Sequence, residues 1–188
     1  HTYSVNVFDN GIWGQPRSNR RYLVGDSVEG NARDLRVFNA IPFFSSNDNR
    51  IRATFTVNGT DTTKSQDGTT NSRITDLYDR TTPVAIANHI DARLIQAEVD
   101  LANGGTNWLN ILNTLRATPQ SIGTFTTSPA ALPPLVDPGT AAARQDLLFR
   151  EMAFWQFSRG HRLGDMRRMV RQYGRPANQV FPVGEHYR

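Results

Sequence analysis

The sequence predicts a mainly α-helical protein whose N-terminal half is loop-rich and contains short strands. Three observations carry that expectation. Turn formers crowd residues 1–82, as in Asp9-Asn10-Gly11, Gly25-Asp26, Asn58-Gly59 and Asp67-Gly68. From residue 83 onward, apolar residues recur at helical spacing. Glycines then fall where helices of ordinary length would break, at Gly104, Gly160 and Gly174.

Each element follows from a local pattern. Residues 51–57 alternate, with Ile51, Ala53, Phe55 and Val57 apolar, and read as a half-buried strand closed by the hairpin-type turn Asn58-Gly59. Residues 60–71 hold nothing apolar to bury and read as a mobile loop. Pro83 suits a first helical position. Ile86, Ile90, Leu94, Ala97 and Leu101 then form one face of a helix over about 84–103. Asn103-Gly104-Gly105 stops it, and Thr106 is the expected N-cap of a helix over about 107–117, striped by Trp108, Ile111, Leu112 and Leu115. So short a gap makes the two an antiparallel hairpin. Residues 118–139 carry too much proline for any regular element. Thr140 is the expected cap of a helix over about 141–158, and Gly160 separates it from a last helix over about 162–173. Residues 1–82 and 83–188 are therefore expected as two segments of one domain, the second built of two successive helix pairs.

Composition narrows the function classes. The chain has 188 residues, 38% hydrophobic and 20% charged, enough for one domain. Its mean hydropathy of −0.51 leaves room for polar loops. No apolar run approaches the roughly 20 residues that span a bilayer, and residues 1–20 contain no signal peptide. The first residue is His1, so the chain is expected to be processed, tagged or cut from something longer. There is no cysteine, which excludes disulfides, thiolate catalysis and cysteine-based zinc sites. A net charge of +4 invites a nucleic-acid reading, but Lys64 is the sole lysine among 21 cationic side chains. Arginine used alone points to fixed, bidentate ion pairs rather than to a phosphate-binding surface.

The motif search is mostly exclusionary. His1, His89, His161 and His186 are scattered and form no metal-binding pair, so no metal and no cofactor is expected. No phosphate loop and no GxSxG nucleophile elbow is present. Arg162, Asp165 and Arg168 share one face of the last helix, and Arg150-Glu151 lies in the helix before it. These five residues read as a structural ion-pair motif between helices, because an unpaired buried charge is very costly. An acid–base pair of Asp165 and His161 is the functional alternative, disfavoured because neighbouring arginines would occupy the carboxylate. Among the loops, Trp13, Tyr22 and Tyr78 look exposed and stand near amide and carboxylate residues, a combination that suits sugar stacking. They are the candidate ligand-binding residues; packing beneath long loops is the bland reading of the same aromatics.

Several stretches, in order, resemble a known family. They are RLIQAEVDLANG at 93–104, WLNILNTLRA at 108–117, LPPLVDP at 132–138 and LLFREMAFWQFSRGHRLGDMRRMV at 147–170. Glu98 matches one motif, and Leu112-Asn113 with Arg116 a second. Arg150-Glu151, Phe157, Gly160, Arg162, Asp165 and Arg168 match a third, with Ser158-Arg159 replacing a single glutamate. Asp48-Asn49-Arg50 and the tail VFPVGEHY at 180–187 extend the likeness. Together they resemble the C-terminal portion of SusD/RagB-like proteins. The resemblance implies a SusD-like fold of tetratricopeptide-like helical hairpins. It implies a surface-exposed outer-membrane lipoprotein that captures glycans or other nutrients for a SusC-like TonB-dependent porin, without enzymatic activity. The lipid anchor of such proteins lies outside this sequence, so the chain is expected to be a fragment. Two other classes stay open: a helical protein-interaction scaffold with no small ligand, and, less favoured, a basic nucleic-acid binder.

Overall fold

The structure is a computed structural model that describes residues 2–3, 11–26, 35–37, 39–122, 125–126 and 132–186. Its N-terminal half opens with β1 (Thr2–Tyr3) and α1 (Gly11–Trp13), which runs into a π-helical turn over Gly14–Ser18. Short strands follow: β2 (Leu35–Val37), β3 (Ala53–Phe55), β4 (Val57–Asn58), β5 (Asp61–Thr62), β6 (Arg73–Thr75) and β7 (Val84–Ala85). Then come α2 (His89–Ala102), α3 (Trp108–Ala117), β8 (Ser121–Ile122), β9 (Phe125–Thr126), α4 (Ala141–Trp155), α5 (Arg162–Arg171), α6 (Ala177–Val180) and β10 (Gly184–His186).

The strands form antiparallel pairs, β1 with β7, β2 with β10, β3 with β6, β4 with β5 and β8 with β9. Among the described residues the protein is thus mixed α/β, and not the mainly α stack of tetratricopeptide-like hairpins that the sequence suggested. The physical reason lies in the connections. α2 and α3 pack as one hairpin, but the β8–β9 pair intervenes before α4, and α4 then packs on α2 while α5 packs on α4 and α6. β7 and β10, which flank the helices, pair back to β1 and β2 of the first half. The two halves are therefore laced together rather than set side by side.

Local chemistry explains most boundary differences. α2 begins at His89, not near 84, because Asn88 makes a capping box: its Oδ1 accepts from Asp91 N (3.1 Å), and Asp91 Oδ2 accepts from Asn88 N (2.8 Å). Residues 84–85 are left free to pair with β1. α3 is capped not by Thr106 but through Asp100, whose Oδ2 accepts from Trp108 N at 2.7 Å. A Cβ on Gly105 would meet that same carboxylate, so a larger residue there displaces the Asp100 cap. α4 ends at Trp155, short of 158, since Ser158 (φ 59°) and Gly160 (φ 80°) turn the chain left-handed.

The alternating stretch 51–57 does not present a buried face. Ile51 is fully buried, but Phe55 and Val57 are 45% and 62% exposed, and the stretch divides between β3 and β4. The span read as a mobile loop is organised instead. Asp67 Oδ1 accepts from the backbone N–H of Thr69 and of Thr70, both at 2.9 Å, and Ser65 and Thr70 are buried. The proline-rich linker likewise holds the β8–β9 pair and the buried Leu132.

The main core joins Leu94 and Ala97 of α2, Leu112 of α3 and Leu148, Met152 and Trp155 of α4. A smaller cluster under the N-terminal half joins Val24 and Ile51 to Phe154 of α4, with Phe43 edge-on to Phe154 at 5.2 Å. Between them lies a buried charge cluster. Glu151 Oε2 accepts from Arg50 Nη1 (2.7 Å) and Glu151 Oε1 from Arg116 Nη1 (2.8 Å). Arg50 also donates from Nη2 to Asp48 Oδ2 (2.8 Å), and its guanidinium sits 4.9 Å from the ring centres of both Phe154 and Trp155. Arg116 Nε donates to Pro133 O at 2.7 Å, tying in the linker. Burial pushes the Asp48 carboxyl up, but the hydrogen bonds and charge of Arg50 outweigh it and hold it below its ordinary value.

Arg50 and Glu151 are only 2% and 3% exposed, so removing the carboxylate leaves Arg116 without a bonded counter-charge and Arg50 with Asp48 alone. Glu151→Leu is expected to cost about 3–5 kcal/mol in urea unfolding. A loss under about 1 kcal/mol would show that the cluster does not hold the fold.

Candidate functional site

α2, α4 and α5 meet around a cavity of about 490 Å³, within the usual range for small-molecule sites. α2 contributes Asp91, Leu94 and Ile95, which its helical spacing places on one face. Met152 and the C-cap residue Gln156 come from α4. Gly160, His161, Gly164, Asp165 and Arg168 complete the wall from the turn and α5.

The polar groups divide into saturated and unsaturated ones. Asp91 is saturated. Its Oδ1 accepts from Gln156 Nε2 (3.0 Å) and Arg159 Nη1 (3.1 Å), and its Oδ2 from Arg159 Nη2 and Asn88 N. Burial raises this carboxyl, yet the bonds from Arg159, Gln156 and Asn88 prevail and hold it below its ordinary value. Arg168 is also committed, with Nη1 on Glu98 Oε2 at 2.9 Å and Nη2 on Asp165 Oδ1 at 2.8 Å. Tyr173 donates to Glu98 Oε1 at 3.0 Å, and its hydroxyl is pushed up to about 12 by burial and by the Glu98 charge.

Two acceptors are left over. Gln156 Oε1 and Asp165 Oδ2 are buried and have no hydrogen-bond partner among the described residues. Their side chains belong to residues only 9% and 5% exposed, so solvent does not readily serve them. Such a group costs about 1–3 kcal/mol until a donor reaches it. Burial holds the Asp165 carboxyl above its ordinary value, outweighing Arg168, Arg162 and His161. A carboxyl perturbed by desolvation at a cavity marks a candidate site. Chemically the cavity offers acceptors beside an apolar wall of Leu94, Ile95 and Met152. It suits a ligand with donor hydroxyls on one side and C–H groups on the other. No group of three or more residues suited to a metal ion occurs among the described residues.

The aromatic candidates are not gathered here. Tyr78 is 3% exposed and belongs to the main core, so it is not the exposed platform that the loop context suggested. It lines a different cavity of about 300 Å³ with Asn88, His89 and Arg159, which neither Trp13 nor Tyr22 lines. Trp13 is half-buried at the end of α1, and Tyr22 is 68% exposed beyond the π-helical turn. Of the five ion-pair candidates, Glu151 pairs with Arg50 and Arg116, and Asp165 with Arg168. Arg150 lies 5.3 Å over the Phe154 ring, and neither it nor Arg162 reaches a carboxylate among the described residues. Asp91, Ile95 and Gln156 were missed by sequence reasoning. The available signal was Asp91 and Glu98 on the buried face of an otherwise apolar helix stripe.

Asp165 makes a signed prediction. With its folded value above the ordinary 3.8, its contribution is fully present below pH 3.8 and is lost as pH rises through the raised value. Replacing it by asparagine removes that dependence. Thermal melts are expected to favour wild type over Asp165→Asn more at about pH 3 than at about pH 7. A difference that grows in the opposite direction contradicts the desolvated carboxyl.

Compared with protein-family models, curated proteins and solved structures, the chain matches none.

Proposed function

We propose that the chain serves nutrient capture at the outer-membrane surface, binding a glycan or another polyhydroxylated ligand destined for a SusC-like TonB-dependent porin. The observation that carries this reading is the pair of buried, partnerless acceptors beside an apolar wall. Sugar hydroxyls donate to such oxygens, and a pyranose C–H face packs on Ile95, the exposed part of that wall. The ordered likeness of residues 93–170 to SusD/RagB-like proteins supports the location and the porin partner. Capture needs no chemistry, only a rigid recess whose unmet acceptors are answered by the ligand.

One observation favours a second reading, a protein-interaction scaffold. Ile95 and Val99 on α2 are 54% and 53% exposed and lie one turn apart. The two readings separate by calorimetry against a panel of neutral oligosaccharides. Ile95 is exposed yet lines the cavity, so Ile95→Trp fills the recess without touching the core. The nutrient reading expects wild type to bind at least one sugar and Ile95→Trp to lose at least about tenfold in affinity with an unchanged melting temperature. A panel that binds nothing, or binding indifferent to Ile95→Trp, sinks it.

A further inference from the structure

Four arginines bond to buried carboxylates: Arg50 and Arg116 to Glu151, Arg159 to Asp91, and Arg168 to Glu98 and Asp165. Arg162 departs from this pattern. It is part-buried, and no acceptor lies within hydrogen-bonding distance of its guanidinium among the described residues. Its nearest electrostatic support is the carboxylate of Asp165, three residues on, which is already bonded to Arg168. Arg162 is also the first residue of α5, where the helix dipole disfavours a cation and favours an anion.

Arg162 sits where two cavities adjoin, lined from α5 by Arg162, Met166 and Met169 and not by Gly164, Asp165 or Arg168. One, of about 240 Å³, is lined by Arg150, Arg162, Asn39 and Gln179. The other, of about 260 Å³, is lined by Arg162 with Ile41, Phe43, Met166, Val180 and Pro182. The acidic residues at their edges are already occupied. Asp146 is paired with Arg175 (2.8 Å), and Asp26 accepts from Ser45 N and Oγ (3.0 and 2.9 Å). Asn39 is spent on Phe181 O (2.7 Å) and Val183 N (3.0 Å). Two guanidinium groups without acceptors among the described residues thus line one recess, next to an apolar strip.

We propose that Arg150 and Arg162 form an oxyanion site, which takes the carboxylate of an acidic ligand whose apolar face lies over Ile41, Met166 and Val180. An Arg fork matches a planar carboxylate bidentately, and the partner missing from Arg162 comes from the ligand. Burial pulls the Arg162 guanidinium down from its ordinary value, a strain that a bound anion relieves. This assignment stands apart from the α2–α4–α5 cavity and does not depend on the nutrient reading.

The test is calorimetry of the whole chain with sodium glucuronate, glucose and sodium sulfate, on wild type, Arg162→Gln and Arg150→Gln. Glucuronate is expected to bind and glucose not. Arg162→Gln should weaken glucuronate by at least about tenfold. Arg150 is exposed, so Arg150→Gln keeps the test open if Arg162→Gln misfolds, and it should weaken binding in the same direction. Sulfate binding with the same dependence on both arginines supports oxyanion recognition and removes the sugar body from it. Absence of glucuronate binding, equal binding of glucose, or affinity unchanged in folded Arg162→Gln and Arg150→Gln overturns the proposal.

Discussion

The carboxylate of Glu151 is the constraint on which the rest of the structure depends. It lies on α4, 3% exposed, and receives Arg50 from 101 residues upstream and Arg116 from 35 residues upstream. Asp48 completes a cluster of two cations and two anions. Each charge alone would be prohibitively costly to bury, but the set is neutral and hydrogen-bonded. The N-terminal half has a small apolar cluster of its own, Val24 and Ile51 on Phe154, and sends Leu77 and Tyr78 into the main core. Arg50 supplies the directional part of that docking, clasped between the Phe154 and Trp155 rings. Arg116 carries the same lock into α3 and, through Pro133, into the linker.

The same solution recurs around the cavity. Arg159 holds Asp91, and Arg168 holds Glu98 and Asp165, so charged struts fix the relative positions of α2, α4 and α5. Struts of this kind keep a recess open where apolar side chains would close it. They also leave a remainder, because Gln156 spends its amide N–H on Asp91 and Asp165 spends one oxygen on Arg168. The unmet acceptors are thus a by-product of the lock that shapes the cavity.

The sequence revealed the parts whose cause is local. α3 was legible because Trp108, Ile111, Leu112 and Leu115 form a stripe that faces the core. Gly104, Gly160 and Gly174 take positive φ where helices were expected to break or end. Non-local causes stayed hidden. The partner of Arg50 is 101 residues away, and no spacing rule reaches that far. Alternation at 51–57 promised a buried face, yet Phe55 and Val57 stay in solvent, since period two says nothing about what covers a strand. The mainly α expectation failed because strands of two or three residues leave almost no periodic signature. Gln156, which supplies half of the unmet acceptors, looked like an ordinary polar residue at a helix end.

The central claim is that Glu151 couples the loop-rich half to the helices through Arg50. A double-mutant cycle of Arg50→Met and Glu151→Leu, read by urea unfolding, tests it most directly. The account predicts a coupling of at least about 1.5 kcal/mol, since the Arg50–Glu151 contact is buried and doubly hydrogen-bonded, and either variant alone already abolishes it. Additivity within about 0.5 kcal/mol would mean that the two residues act independently, and would contradict it.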